Sequence, residues 1–171
     1  NERRLYVVNA SDSGVRRETL ATIDRTRVFG ELNLEDAACE RLPGSSDPEM
    51  CARVIDGGRI ILAADTLGAA GTMLQRAVAY SKERVQFGRP IGSFQAVKHM
   101  CAEMAAELEP CHAMMWYAAH AFDAMPEDSR LNACHAKAHL SEVGTRVART
   151  STEVHGGIGF TDELGLHLWF K

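Results

Sequence analysis

The sequence predicts a mainly α-helical protein, a four-helix up-and-down bundle preceded by a few β-strands. From residue 50 to 171, apolar side chains recur every three or four positions, which is the spacing of an amphipathic helix. Glycine and proline interrupt this pattern at about 86–93, 125–129 and 156–161, where we expect the connections between helices. A short fourth helix is predicted from Asp162 to the last residue. Before residue 50 the pattern changes to short alternating segments that are typical of strands.

The first 45 residues carry the predicted strands. Apolar and charged side chains alternate in "RVFGELNL", residues 27–34, which indicates a half-exposed strand, and "LYVV" and "VRRETL" are shorter candidates before it. A loop rich in proline, glycine and serine, "ERLPGSSDPEM", follows. We therefore divide the chain into the end of a β-domain, residues 1–45, and a helical bundle, residues 46–171. Because the chain starts on a strand-like segment, we expect it to be a piece of a longer protein.

Three long helices are predicted after this loop, and no strand. The second is expected from about Ser93 to Ala124, with a local kink at Pro110, since proline has no N–H to donate inside a helix. The third is expected from about Ser129 to Val154. Asp128 or Ser129 is available as its N-cap, because both side chains accept hydrogen bonds from exposed N–H groups.

Composition and charge exclude several classes of function. The net charge of −4 gives no reason to expect nucleic acid or an anionic membrane as a partner, and no apolar run is long enough to span a bilayer. The five cysteines form no C-x-x-C pair, so neither a disulfide scaffold nor a zinc ribbon is predicted. Unpaired thiols suit a reducing compartment, and we predict a cytoplasmic protein.

Two histidine patterns are compatible with metal binding but incomplete. His135 and His139 lie one helical turn apart, a spacing that zinc sites use, yet no third ligand stands at a matching position. Glu109 and His112 form one Glu-x-x-His pair, whereas a carboxylate-bridged di-iron bundle needs that pair twice and two further glutamates. We therefore predict no metal site.

Two of the predicted connections contain charged, aromatic and glycine residues beyond those that a simple turn requires. In "KERVQFGRPIGSFQ", Arg84 offers a forked cation suited to a diphosphate, and Phe87 offers a face for a planar heterocycle. The glycines at 88 and 92 let a ligand approach the backbone. The second connection, "HGGIGF" at 155–160, offers bare backbone after a long helix. Helix-capping turns are the alternative interpretation, but the occurrence of both segments in one bundle favours a ligand site.

These two segments resemble the signature segments of the C-terminal domain of the acyl-CoA dehydrogenase family. The family pattern R-x-x-F-G-x-x-[I/L]-x-x-x-Q is matched by Arg84, Phe87, Gly88, Ile91 and Gln95. The pattern G-G-x-G-[F/Y] is matched by residues 156–160. The first strands resemble the end of the family's middle β-domain, so the resemblance covers essentially the whole chain. It implies the family's helical bundle, and FAD as the cofactor.

In that family the first connection reaches across a dimer interface to the FAD of the neighbouring subunit. The resemblance implies that Arg84 and Gln86 face the pyrophosphate, with Phe87 at the adenine end, and that Gly157 receives the adenosine. The family often has Gln where Glu153 stands, and a carboxylate there repels the pyrophosphate unless it points to ribose hydroxyls. The cofactor-binding residues implied by the resemblance are Arg84, Gln86, Phe87, Ile91, Phe94, Gln95, Glu153, Gly156 and Gly157.

The resemblance leaves the catalytic residue open. In the family a glutamate removes the α-proton of an acyl thioester while the β-hydride passes to the flavin. The usual base lies beyond the position of Lys171, and the alternative position in the first helix is Gly58 here. Glu163 and Asp162 are carboxylates near the second loop, but carboxylates are also common at the start of a helix, where they stabilise it.

Asp56 and Arg59 are the candidates for substrate positioning. They match the family's D-x-x-R at the start of the first helix, which the resemblance places near the thioester and pantetheine. The alternative interpretation is an exposed ion pair between residues three positions apart on a helix, with little effect on stability.

The resemblance therefore predicts a fragment of a flavin-dependent acyl-CoA dehydrogenase that is inactive alone. It implies an acyl-CoA thioester as substrate, an electron-transfer flavoprotein as electron acceptor, and self-association as a dimer or tetramer. Three alternatives stay open: a related flavin enzyme such as an acyl-CoA oxidase, nitroalkane oxidase or monooxygenase, a non-catalytic partner subunit of a heteromeric dehydrogenase, and a plain helical assembly module.

Overall fold

The structure is a computed structural model that describes residues 4–24, 26–45 and 47–169. The chain divides into two compact units, one ending at Ile55 and one beginning at Asp56. The domain boundary that we place at 45/46 stays a prediction.

The first unit contains two antiparallel pairs of short strands. Strands β1 (Tyr6–Val8) and β4 (Cys39–Arg41) form one pair, and β2 (Val15–Thr19) and β3 (Gly30–Leu34) form the other. Three of these strands fall in the predicted segments. Strand β4 was not expected, because its sequence "CER" shows no apolar alternation; it is defined by pairing with β1.

Three long α-helices dominate the chain. Helix α1 spans Pro48–Glu83, α2 spans Gln95–Ala124 and α3 spans Pro126–His155. These bounds confirm the mainly α fold class and show helix, not strand, over 60–79 and 96–108. Pro110 lies inside α2 without ending it, and the kink there stays a prediction.

Helices α1 and α3 run in the same direction, and α2 runs against both. Asp56 pairs with Arg130 near the start of α1 and α3, and Tyr80 stacks on His155 near the end of both. A single residue, Met125, separates α2 from α3, and so short a connection makes neighbouring helices antiparallel. The three helices therefore form an up-down-up arrangement.

The core lies between the three helices and is built largely from small and flexible side chains. A methyl group placed on Gly144 of α3 would meet the Thr66 methyl of α1, so glycine permits this close approach. The Ser151 hydroxyl donates to the Met73 carbonyl across the same two helices, at 3.2 Å. The largest apolar side chains that are almost fully buried are Met73, Leu140, Leu166, Val143 and Val147.

The predicted start of α3 was wrong. The helix begins at Pro126, with Met125 in the N-cap position and no side-chain cap, so neither Asp128 nor Ser129 is the N-cap. Proline suits the first helical position because its φ is already helical and its missing N–H would have no helical partner there. The predicted break at 125–129 is reduced to one residue.

The predicted fourth helix from Asp162 was also wrong. The described residues after α3 form two 3₁₀ turns, Gly156–Phe160 and Leu166–Trp169. Between them Gly165 has a φ of 63°, a left-handed conformation that ends helices. The bundle therefore has three α-helices and a 3₁₀ continuation over the described part of the chain.

Candidate functional site

The connection between α1 and α2 is a β-hairpin, although no strand was predicted after residue 50. Strands β5 (Val85–Gln86) and β6 (Arg89–Pro90) pair antiparallel around Phe87 and Gly88. These two central residues have φ values of 54° and 76°, as in the two-residue turns that match the twist of a hairpin. Glycine adopts this conformation readily, whereas for phenylalanine it is uncommon.

Phe87 is 92% exposed, at the tip of this hairpin. Its ring meets the edge of the Phe94 ring at a centroid distance of 6.0 Å and an interplanar angle of 83°. The guanidinium carbon of Arg89 lies 4.0 Å from the centroid of the same Phe94 ring, a cation–π contact. The hairpin thus holds the exposed Phe87 ring in a strained backbone conformation, with Phe94 in contact with it and Arg89 packed on Phe94. Backbone strain of this kind is concentrated at functional sites.

The polar side chains that were predicted to face a cofactor lie around the same hairpin. Arg84 is exposed, and its N–H continues α1 by donating to the Tyr80 carbonyl at 2.9 Å. The Gln86 amide donates to the Val85 carbonyl at 2.8 Å. The Gln95 amide nitrogen lies 3.4 Å from Nε2 of His99. Arg84, Gln86 and Gln95 are all exposed.

The turn after α3 exposes its backbone at two glycines. Gly156 has φ 64° and ψ −145°, and its N–H donates to the carbonyls of Thr152 and Glu153. A methyl group on Gly157 would meet nothing within 4 Å, whereas one on Gly159 would lie 2.8 Å from the Thr152 carbonyl oxygen. Gly159 is therefore needed for packing, and Gly157 is free of any internal packing requirement.

The hairpin and this turn lie at the same end of the bundle. The rings of Tyr80, one turn before the end of α1, and His155, the last residue of α3, have centroids 4.6 Å apart. His155 is buried, and its Nδ1 lies 2.7 Å from the Ser151 carbonyl oxygen, so that nitrogen carries the proton and donates. Neither ring was singled out from the sequence; the one available signal was that each immediately precedes a glycine-bearing connection.

The predicted acidic candidates near this end are exposed. Glu153 and Glu163 point to solvent, and Asp162 lies 3.2 Å from Nε2 of His167. Gly58 lies in the first third of α1, toward the end opposite the hairpin, and a methyl group placed on it would meet nothing within 4 Å. The Gly58 position is therefore remote from the hairpin, and Glu163 follows the turn at 156–160 as an exposed side chain.

Asp56 and Arg59 do not form the exposed ion pair that was the alternative interpretation. Asp56 is buried, with 2% of its surface exposed, and each of its carboxylate oxygens contacts a different arginine. Oδ1 accepts from Nη1 of Arg59, and Oδ2 lies 3.2 Å from Nε of Arg130 on α3. Arg130 was missed in the sequence because the contact joins residues far apart in the chain.

The two groups of candidate residues stand at opposite ends of α1. The helix is continuous from Asp56 to Glu83, which at about 1.5 Å per residue corresponds to a length of about 40 Å. Within one chain, the arginine cluster at Asp56 and the hairpin at Phe87 therefore cannot contact the same small molecule.

Among the described residues, no group of three histidine, cysteine or acidic side chains could hold a metal ion, and no helix there is long and apolar enough to cross a membrane.

Comparison with known proteins places this geometry in a family. The profile of the family described as "Acyl-CoA dehydrogenase, C-terminal domain" matches residues 50–171. Acyl-CoA dehydrogenase IpdE2 of Mycobacterium tuberculosis is 38% identical over 154 residues, which are 90% of this chain and 44% of that protein. The subunit CarC of the caffeyl-CoA reductase–Etf complex of Acetobacterium woodii is 29% identical over 171 residues, 100% of this chain and 41% of that protein.

The fold agrees with a solved structure. Butyryl-CoA dehydrogenase from Megasphaera elsdenii superimposes with a TM-score of 0.86 at 28% identity, over 96% of this chain and 45% of that one. The chain thus spans less than half the length of each of these relatives. The chain belongs to the acyl-CoA dehydrogenase family, and its residues from 50 onward are the family's C-terminal helical domain.

Proposed function

We propose that the intact protein is a flavin-dependent acyl-CoA dehydrogenase that forms the α,β double bond of an acyl-CoA thioester. In this proposal residues 84–95 and 156–157 contact FAD across a subunit interface, and Asp56 with Arg59 positions the thioester. The observation that carries it is the separation of these two sites by the length of α1, about 40 Å. Because one chain cannot bring both to one flavin, a second copy of the chain must supply one of them.

The residues at the hairpin end fit a dinucleotide. Arg84 is an exposed guanidinium, which suits a diphosphate because it can donate two parallel hydrogen bonds. The exposed ring of Phe87 offers a stacking face, and the less exposed Phe94 ring contacts it. The open backbone of Gly156 and Gly157 allows close approach of a sugar or phosphate.

When bound, FAD supplies the two-electron acceptor of the dehydrogenation. The chain's own residues hold and orient it: Arg84, Gln86 and Gln95 supply donors, and the carboxylate of Glu153 accepts from ribose hydroxyls in this proposal. We assign no base among the described residues. Glu163 is exposed, and a base must lie within hydrogen-bond reach of the proton that it removes.

The proposed partners follow from the relatives and from the geometry. CarC is by its name part of a complex with an electron-transfer flavoprotein, and we propose such a flavoprotein as the electron acceptor here. The need for a second copy at each flavin supports a homodimer or a dimer of dimers.

All five cysteines are free thiols, and burial raises the pKa of the Cys101 and Cys111 thiols and so favours their protonated form. We propose a cytoplasmic location, since free thiols persist in reducing compartments.

The test is an anaerobic titration of the intact protein with acyl-CoA thioesters of different chain length, followed by the flavin absorbance. The proposal expects a yellow protein whose absorbance bleaches with at least one thioester and returns with an electron-transfer flavoprotein. Rapid return with O₂ would instead identify an oxidase on the same scaffold. A colourless protein that gains flavin only beside a second, different subunit would identify a non-catalytic partner subunit.

A further inference from the structure

We propose that Arg130 is a positioning residue for the thioester substrate, which acts by holding Asp56 so that Asp56 in turn orients Arg59. The inference rests on the proposed role of Asp56 and Arg59. It adds a residue from a different helix, separated from Asp56 by 74 positions in the chain.

The carboxylate of Asp56 is shared between two helices. Its side chain is 3% exposed, and its two oxygens are divided between Nη1 of Arg59 on α1 and Nε of Arg130 on α3. The side chains of the two arginines are 38% and 51% exposed. A buried anion is therefore sandwiched between two cations that both reach solvent.

This division of oxygens fixes the rotation of the carboxylate. With Oδ2 bound to Arg130, Oδ1 has one direction in which to accept from Arg59, and the Arg59 guanidinium is held in one orientation. If Arg130 is removed, both oxygens of Asp56 become available to Arg59, and the guanidinium can move between them. The Arg59 side chain would then have to be ordered when the ligand binds, which weakens binding, whereas in the native cluster it is already ordered.

The Arg59 guanidinium favours an anionic or strongly polar ligand in front of the Asp56–Arg59 pair, because it is a permanent cation that reaches solvent. Arginine donates five N–H groups in a fixed fork, and the contact with Asp56 uses Nη1 of Arg59. The other donors on a guanidinium that is 38% exposed can meet the carbonyl or phosphate oxygens of an acyl-CoA thioester.

A second arginine of α3 provides a matched control. Arg146 also uses its Nε to bind a carboxylate of another helix, Glu107 of α2, at 2.9 Å. This pair is exposed on both sides, with side-chain exposures of 47% and 40%, and Glu107 does not orient a second arginine on α1. Loss of Arg146 therefore tests the loss of an interhelical ion pair without loss of the Asp56 cluster.

The experiment measures kcat and KM for an acyl-CoA thioester with the intact flavoprotein. The variants are Arg59→Gln, Arg130→Gln, Arg130→Lys, the Arg59→Gln/Arg130→Gln double variant and Arg146→Gln. Each is checked first for flavin content and Tm. We expect Arg59→Gln to raise KM about tenfold, since a charge-assisted contact is lost. Arg130→Gln should raise KM about threefold to tenfold with kcat within about twofold, as expected when ground-state positioning is lost.

The double variant decides whether Arg130 acts through Arg59. We expect Arg130→Gln to add nothing to KM once Arg59 is Gln, because coupled residues are not additive. Arg130→Lys should restore part of the effect, since it keeps the charge and loses the Nε geometry. Arg146→Gln should leave KM unchanged.

Several results would overturn the inference. Independent, multiplying effects of the two substitutions would mean that Arg130 touches the substrate itself or acts elsewhere. An unchanged KM in Arg130→Gln beside a raised KM in Arg59→Gln would remove Arg130 and leave the proposed function standing. An unchanged KM in Arg59→Gln would overturn both roles, while flavin bleaching by thioester would still support the dehydrogenase activity. If Arg130→Gln does not fold, a wild-type KM in a folded Arg130→Lys variant would overturn the inference.

Discussion

The two ends of the helical bundle satisfy their polar groups in opposite ways. At the end near Asp56, a buried carboxylate is paired with two arginines of the same chain. At the other end, Arg84 and Phe87 are exposed on a hairpin whose turn has a positive φ at a phenylalanine. The first end pairs its buried anion within the chain, and the second presents its cation and its aromatic ring on the surface.

This difference also affects how each end contributes to the stability of the folded chain. Burying a carboxylate is unfavourable unless it is paired and hydrogen-bonded, so the Asp56 end must remain assembled for the chain to fold well. The hairpin end stores strain and exposes a large apolar ring, neither of which stabilises the chain by itself. Substitutions at the first end should therefore alter stability and substrate binding together, whereas substitutions at the second should separate stability from cofactor binding.

The largest expected effect is on the Asp56 cluster. Asp56→Asn keeps the shape of the side chain and removes the charge that two arginines share, so the free energy of unfolding should fall by about 1.5–3 kcal/mol, the range for hydrogen bonds to a charged group. Urea unfolding of the intact protein measures this. Glu107→Gln, in the exposed pair with Arg146, is the control and should cost much less. Equal losses in the two variants would contradict the distinction between a buried and an exposed carboxylate.

The next effect concerns Arg84 at the opposite end. Arg84→Ala in the intact protein should weaken FAD binding by about ten- to a hundredfold, the range for one charge-assisted bidentate contact, and leave the Tm of the apoprotein unchanged. Arg84→Lys should recover only part, because an ammonium group cannot reproduce the fork. Flavin content and apoprotein Tm measure the two quantities. Full flavin retention in both variants would remove Arg84 from the cofactor site.

The turn after α3 contains two glycines that should respond differently. Gly159→Ala places a methyl group 2.8 Å from the Thr152 carbonyl oxygen, and such overpacking costs about 1–3 kcal/mol of stability. Gly157→Ala meets nothing within 4 Å in this chain, so its Tm should be unchanged while FAD affinity falls. Thermal unfolding of the apoprotein and flavin titration distinguish the two. Unaltered FAD affinity in Gly157→Ala would show that no cofactor approaches this backbone.

The smallest expected effect is a gain in stability. Phe87 holds a φ of 54°, a conformation that costs a residue with a side chain about 1 kcal/mol and glycine almost nothing. Phe87→Gly should therefore preserve or slightly raise the apoprotein Tm and lower FAD affinity through loss of the ring. Phe87→Leu, which keeps an apolar side chain and the strain, is the control. A lower Tm in Phe87→Gly would mean that the ring stabilises the fold through Phe94.

Much of the bundle could be predicted because helix periodicity and helix-breaking residues are local. Glycine and proline around 86–93 indicated the end of α1, and the pattern from about 93 to 124 indicated α2 almost to its bounds. The start of α3 was misplaced because Pro126 can open a helix as well as interrupt one. The hairpin was missed because strands of two residues carry no periodicity, and its geometry follows from positive φ values that only the structure shows.

The amino-acid sequence by itself determined the family, the helical class and the loop that carries Arg84, Phe87 and Gln95, because these depend on short spacings along the chain. Only the tertiary structure decided which residues meet across helices. It buried Asp56 and brought Arg130 to it from α3, and it placed the hairpin beside the turn at 156–160 through Tyr80 and His155. The physical reason is that such contacts depend on how helix faces pack, which residue spacing within any one helix does not specify.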